Sequence, residues 1–237
     1  MSAVRVFETK EYRPEYGLLL LVDNCVAWDA AEDPVVPHHR DRGDTPTGTF
    51  AGSGAGWLAA QADDLAPHAI RLELHDGPSP EDRTAFDDVL ETPFRSSSGG
   101  LTLATLTSGY GAAHFNLGDA EWFRTRVARW RADIEGQRGY RWLISFWPVA
   151  MVEPPVRLAR RREATELEPI NVARDVESVL RWTPELPVRT TMTSLAQRLL
   201  LGETALRDGL ASAADKGLLH VDDRAELRLW LGRRTTS

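Results

Sequence analysis

His38-His39, Asp41 and Asp44 stand in one short stretch, and imidazole with carboxylate is a donor set that can hold a divalent metal and activate water for hydrolysis. Adjacent histidines in a loop seldom close a site by themselves, so a solvated loop is the simpler reading. The glycine-rich run from Gly48 to Gly56 places Ser53 between glycines. It lacks the Gly-Lys-Ser/Thr of a phosphate-binding loop, the spacing of a dinucleotide fingerprint and the Gly-x-Ser-x-Gly of a nucleophile elbow, and reads as a flexible loop. His68, His75, His114 and His220 are scattered, and each needs a Ser or Asp brought to it in space before it can act as a base. The single Cys25 rules out an intrachain disulfide and reads as a small buried hydrophobe. These residues leave a metal-dependent hydrolase, using His38, His39 and Asp41, as a minor alternative. The chain is read as non-enzymatic, with no cofactor.

The elements that position these groups begin with composition. A chain of 237 residues with 42% hydrophobic and 27% charged residues is ordinary globular protein, long enough for two domains. No basic segment followed by an apolar stretch opens it, and the longest apolar run, Gly17 to Val22, is too short to span a bilayer. A cytoplasmic protein without a membrane partner is expected. The net charge of −7 is unevenly spread. Residues 1–156 carry 14 Lys/Arg against 23 Asp/Glu, a balance of −9, while residues 157–237 carry 14 against 12. The front part therefore repels nucleic acid and the back part is near neutral.

The front part reads as short strands between turn clusters. Val4 to Glu8 alternates, Tyr16 to Val22 is continuously apolar, and Ile70 to His75 puts Ile70, Leu72 and Leu74 on one face. Phe94, Leu101 to Leu106, His114 to Leu117, Phe123 to Ala128 and Tyr140 to Trp147 continue the pattern. Turn signals separate them at Asp76 to Pro80, Ser96 to Gly100, Gly118-Asp119 and Gly136 to Gly139. Asp33 to Gly56 reads as a long loop. Trp57, Trp122, Trp142 and Trp147 are expected in the core. The fold class predicted is α+β by segregated domains: an antiparallel β-sandwich or jelly-roll-like domain over residues 1–158, a linker over 159–170, and a helical domain over 171–237.

Past Asn171 the apolar period lengthens from two to about 3.6. Asn171 is placed as the cap of a first helix carrying Val172, Val176, Val179 and Leu180, which ends before Pro184. Val188 to Thr190 can form a strand. Ser194 is placed as the cap of a second helix carrying Leu195, Ala196, Leu199 and Leu200. A third helix from Glu203 to Lys216 turns Leu206, Leu210 and Ala213 inward and stops at Gly217. Leu218 to Val221 and Leu227 to Leu231 make two strands around Asp222-Asp223-Arg224. The runs Ser194 to Leu199, Leu201 to Leu206 and Lys216 to Leu219 resemble bacterial winged helix-turn-helix regulators, with Ala196 at the position where two helices cross closely.

That resemblance implies a third helix that faces the major groove of DNA. The face here offers Glu203, Thr204, Arg207 and Asp208, and the wing offers Asp222, Asp223, Arg224 and Arg228. Thr204, Arg207, Arg224 and Arg228 suit phosphates and base edges, while the carboxylates repel them. A protein partner, or a second copy of the chain, is the favoured ligand of this surface. A DNA-binding transcriptional regulator is the alternative.

The runs Phe86 to Phe94, Gly99 to Leu106, Phe115 to Arg129 and Tyr140 to Pro148 resemble the β domain of the ComJ-like competence nuclease-inhibitor family. The resemblance implies a sandwich that binds a partner protein, and an acidic surface suits a basic partner. Arg124, Arg126, Arg129 and Arg131 would depart from a uniformly acidic surface. The whole reads as a regulator or adaptor that acts by binding.

Overall fold

A computed structural model of the chain describes residues 3–25, 50–54, 56–78, 86–105, 114–160, 168–183, 187–222 and 227–231. Among them are fourteen strands, β1 to β14, and three helices, α1 to α3. The chain is mostly β.

β1 (Arg5–Thr9), β5 (His68–Leu74), β6 (Asp88–Arg95), β9 (Trp122–Ile134), β10 (Gln137–Pro148) and β11 (Val156–Ala159) build a six-stranded sheet in the order β1-β5-β10-β9-β6-β11. β2 (Leu18–Asp23), β3 (Ala51–Gly54), β4 (Trp57–Gln61), β7 (Gly100–Ala104) and β8 (Phe115–Asn116) build a five-stranded sheet in the order β3-β4-β2-β7-β8. The two sheets share one core. Ile70, Leu72, Phe94, Val127, Trp142, Ile144 and Phe146 enter it from the first sheet, and Leu19, Leu21, Leu58 and Ala60 from the second. The expected sandwich is antiparallel with one exception. β10 lies parallel to β5, with Tyr140 opposite His68 and Phe146 opposite Leu74.

The longest ladder joins β9 and β10, from Gln137 opposite Ile134 to Pro148 opposite Phe123. Its two-residue turn has Glu135 at φ 55° and Gly136 at φ 84°. Two positive φ values in a row match the twist of the flanking strands, and glycine takes the second without strain. β2 explains its own sequence. Leu19 and Leu21 enter the shared core, while Leu20 and Val22 pack with Trp57, Ala59 and Ala104 on the other face. A strand buried on both faces reads as a continuous apolar run.

The loop expected over Asp33 to Gly56 is corrected at its end. Ala51 to Gly54 is the fully buried strand β3, paired with β4. Small residues fit there because β3 is buried along its whole length, whereas glycine content alone suggested a loop. His38, His39, Asp41 and Asp44 lie outside the described residues, as do Asp223 and Arg224.

A second apolar core gathers α1 (Pro169–Arg181), α2 (Met192–Leu199), α3 (Glu203–Asp215), β12 (Val188–Thr190), β13 (Leu219–Asp222) and β14 (Leu227–Leu231). The three strands form one antiparallel sheet with β14 in the centre. Both predicted helix caps are displaced. α1 is opened by Pro169 after Glu168, so Asn171 sits in the first turn. Proline needs no N–H partner at a first helical position and supplies a ready φ. α2 is capped by Thr191, whose hydroxyl accepts from the backbone N–H of Ser194 at 3.1 Å. Leu200 is not a core residue. It closes α2 in the left-handed region and is 45% exposed. α3 ends where expected, with Gly217 at φ 66°.

Candidate functional site

α3 presents a sharply divided surface. Leu206, Gly209, Leu210 and Ala213 face the second core. Glu203, Thr204, Arg207 and Asp208 are exposed together on the opposite side, continued by Ala211 and Asp215. The spacing i, i+1, i+4, i+5 keeps the four on one face of a helix. Glu203 is held in place there, since its carboxylate accepts from the Thr193 hydroxyl of α2 at 2.5 Å. Among these exposed residues one base stands against three acids. Arg228 is placed apart from the helix residues by sequence, on β14, half-buried and in register with Asp222 of β13 and Arg189 of β12.

α3 sits tight on α1 because position 209 has no side chain. A Cβ there would stand 2.5 Å from Cγ1 of Val172 and 3.3 Å from the carbonyl of Pro169. α1 and α3 thus approach closely at Gly209, a position that the spacing of apolar residues did not mark. Ala196, expected at a close crossing, is buried in the same core.

The arginines of β9 are not the surface feature they promised to be. Arg124 and Arg126 are both buried and both paired with Glu91, at 3.4 and 2.8 Å. Burial pushes the Arg124 guanidinium below its usual range, and Glu91 pulls it back up. Arg129 and Arg157 both bind Asp88 at 2.6 Å, and the Asp88 side chain is fully buried. The Arg129 and Arg157 guanidiniums also lie over the Phe50 ring, at 4.9 and 4.6 Å from its centroid. Of the four arginines only Arg131 is exposed.

The candidate chemistry of the histidines and serines is taken up by structure. His68 is buried, accepts from the Trp142 indole N–H at 2.9 Å through Nδ1, and donates from Nε2 to the carbonyl of Asp63 at 2.8 Å. That pattern requires the neutral ring, and burial holds its pKa below the usual 6.5. His75 bonds Glu73 at 2.9 Å, His114 accepts from the backbone of Leu103, and His220 stacks on Trp230. Ser53 is buried against Thr92 and the carbonyl of Pro93. Among the described residues, none of the four histidines forms a hydrogen bond to a serine. Cys25 is exposed, not buried, because β2 ends at Asp23. Asp23 is the buried group of that turn. It accepts from the Ser96 hydroxyl at 2.5 Å and from the backbone of Cys25, Ser97 and Ser98. Burial raises its pKa, and the hydrogen bonds together outweigh burial and lower it. Trp57, Trp142 and Trp147 are buried as expected, while Trp122 is half-buried. Among the described residues no group of three or more His, Cys, Asp or Glu is placed to hold a metal ion. No helix there is long and apolar enough to cross a membrane.

No family model and no characterised protein matches the chain by sequence. Two solved structures are weakly similar to it. One is ComJ from Bacillus subtilis, an inhibitor of the DNA-degrading activity of NucA: 11% identity, TM-score 0.41, covering 62% of this chain and 98% of that one. The other is crocagin biosynthetic gene J: 12% identity, TM-score 0.39, covering 62% of this chain and 96% of that one.

Proposed function

We propose that this chain is a non-enzymatic regulator or adaptor that binds a protein partner through the exposed face of α3. The single observation that carries the reading is the composition of that face: Glu203, Thr204, Arg207, Asp208 and Asp215 put three carboxylates around one guanidinium. A helix that reads DNA needs donors for phosphates and base edges, and these carboxylates repel phosphate. A mixed, net acidic face suits a basic protein surface instead.

The unit that carries α3 is, on this reading, a winged helix. Its support is the element order α1-β12-α2-α3-β13-β14 with β14 central. The domains are proposed as a β-rich unit over 1–158, a connection over 159–170 and the winged helix over 171–237. β11 runs one residue past the first boundary and α1 starts two residues before the last. The β-rich unit supplies the second binding surface. Its support is the sequence balance of 14 Lys/Arg against 23 Asp/Glu over residues 1–156, which burial leaves as it is, since the buried Arg124, Arg126 and Arg157 are matched by the buried Asp23, Glu73 and Asp88.

Titration with labelled duplex DNA across a salt series tests the choice of partner. The reading expects no retention at low salt. Retention that falls steeply with salt and is weakened by Arg207→Ala restores the DNA-binding alternative with Thr204, Arg207, Arg224 and Arg228 as its contacts.

A further inference from the structure

Trp130 of β9 and Arg141 of β10 stand directly opposite each other, and Ala69 of β5 stands on the other side of Arg141. Side chains alternate between the two faces of a strand. Val127, Trp142 and Ile70 fill the shared core, so Trp130, Arg141 and Ala69 project from the outer face of the six-stranded sheet. All three line one cavity on that face, together with Glu8 and Arg71, which face each other across β1 and β5. The half-buried Trp130 ring meets Phe86 edge-on at 4.9 Å, which holds the indole in place. Ala69 is too short to fill the space beside Arg141.

The charges in the cavity say which ligand fits. Arg71 is shared between Glu8 and Glu73, and Lys10 is bonded to Glu135 at 3.0 Å. Arg141 is exposed and, among the described residues, forms no hydrogen bond or ion pair. Across the whole lining, four cationic side chains stand against three carboxylates. The surplus is a single positive charge, and Arg141 is the group that carries it unpaired. A multiply charged anion exceeds that surplus and meets the carboxylates of Glu8 and Glu135, whereas a monoanion matches it.

We propose that this outer face of the sheet binds a small aromatic monocarboxylate. Its carboxylate takes both prongs of the Arg141 guanidinium, the geometry in which that pair is strongest. Its ring lies against the Trp130 indole, and Ala69 leaves room for the ligand beside the guanidinium. Facing residues on paired strands have Cβ atoms about 4.5–5.5 Å apart, so ring and carboxylate belong one short arm from each other. This site is separate from the face of α3 and does not depend on it.

Fluorine NMR of the full chain, with its eight tryptophans replaced by 5-fluorotryptophan, tests it. The Trp130 resonance is the one missing from Trp130→Phe. Indole-3-acetate shifts that resonance saturably, and the other resonances show that the fold is intact. Indole-3-acetamide, which keeps the ring and loses the charge, binds at least about tenfold more weakly. Cyclohexylacetate, which keeps the charge and loses the aromatic ring, is also weaker, and the cationic tryptamine leaves the resonance in place. Arg141→Glu weakens indole-3-acetate by about tenfold and lets tryptamine shift the Trp130 resonance, a gain that a misfolded variant cannot produce. No shift at Trp130 with indole-3-acetate, equal binding of its amide or of cyclohexylacetate, or the same affinities in Arg141→Glu overturns the proposal.

Discussion

Asp88 sits in the core with a guanidinium on each side, from Arg129 and Arg157, and its side chain has no exposure. Two buried cations without that carboxylate are left to desolvation, which in real proteins is severe. Asp88→Ala is expected to destabilise the fold by about 3–5 kcal/mol in urea denaturation. Combining it with Arg157→Met should recover part of the loss, and an additive double variant would show that the pair is not coupled. His68 makes a prediction about pH. Its folded pKa is lowered by burial, so the unfolded chain binds the proton more readily. The stability it contributes is full above the unfolded value of about 6.5 and is lost as pH falls through the folded value. Urea midpoints should therefore fall as the buffer goes from about pH 7.5 to about pH 5. His68→Gln, which can accept from Trp142 and donate to Asp63, should flatten the fall. An unchanged slope would place the pH dependence on other groups.

At the scale of elements, the crossing of α1 and α3 turns on Gly209. Alanine inside a helix ordinarily gains up to about 1 kcal/mol over glycine. Here the added methyl meets Val172 at 2.5 Å, and overpacking of that kind costs about 1–3 kcal/mol. Gly209→Ala should lower the thermal midpoint, and Val172→Ala in the same chain should relieve part of it. A raised midpoint in the single variant would mean that the helices can separate at no cost. The element order was largely readable because the signals are periodic. Ile70, Leu72 and Leu74 alternate, Leu206, Leu210 and Ala213 repeat at helical spacing, and Gly217 closes a helix. The misreadings share a cause. At Thr191 and Ser194, or Glu168 and Asn171, several residues can cap, and only the path of the incoming chain selects one. β3 is glycine-rich and looks like a loop until β4 pairs with it. The parallel placement of β10 beside β5 is a long-range fact that no local pattern encodes. The α3 face, by contrast, lies within one helix and was visible as a group.

For the whole molecule, the contacts between the two apolar cores matter most. The Trp182 indole, at the end of α1, donates to the carbonyl of Ser53 at 3.1 Å and meets the Trp122 ring edge-on at 5.9 Å. Arg198 of α2 donates to the carbonyls of Pro154 and Pro155, each at 3.2 Å. Arg160 joins Leu199 and Asp175 to the chain just past β11. These contacts are expected to make the two units unfold together. Trp182→Ala should separate the helical transition, followed by far-ultraviolet circular dichroism, from the β transition followed by tryptophan fluorescence. Coincident transitions in that variant would assign the coupling elsewhere.

Site-specific cross-linking tests most directly whether a protein partner occupies the exposed face of α3. A photoreactive residue is introduced in place of Arg207, and in a control in place of the exposed Arg138, and each protein is irradiated in its native cells. Position 207 is expected to yield a discrete protein adduct that position 138 does not, and that adduct is expected to disappear with Glu203→Lys and Asp208→Lys together. Adducts to DNA from position 207, or the same protein adducts from both positions, would contradict the account.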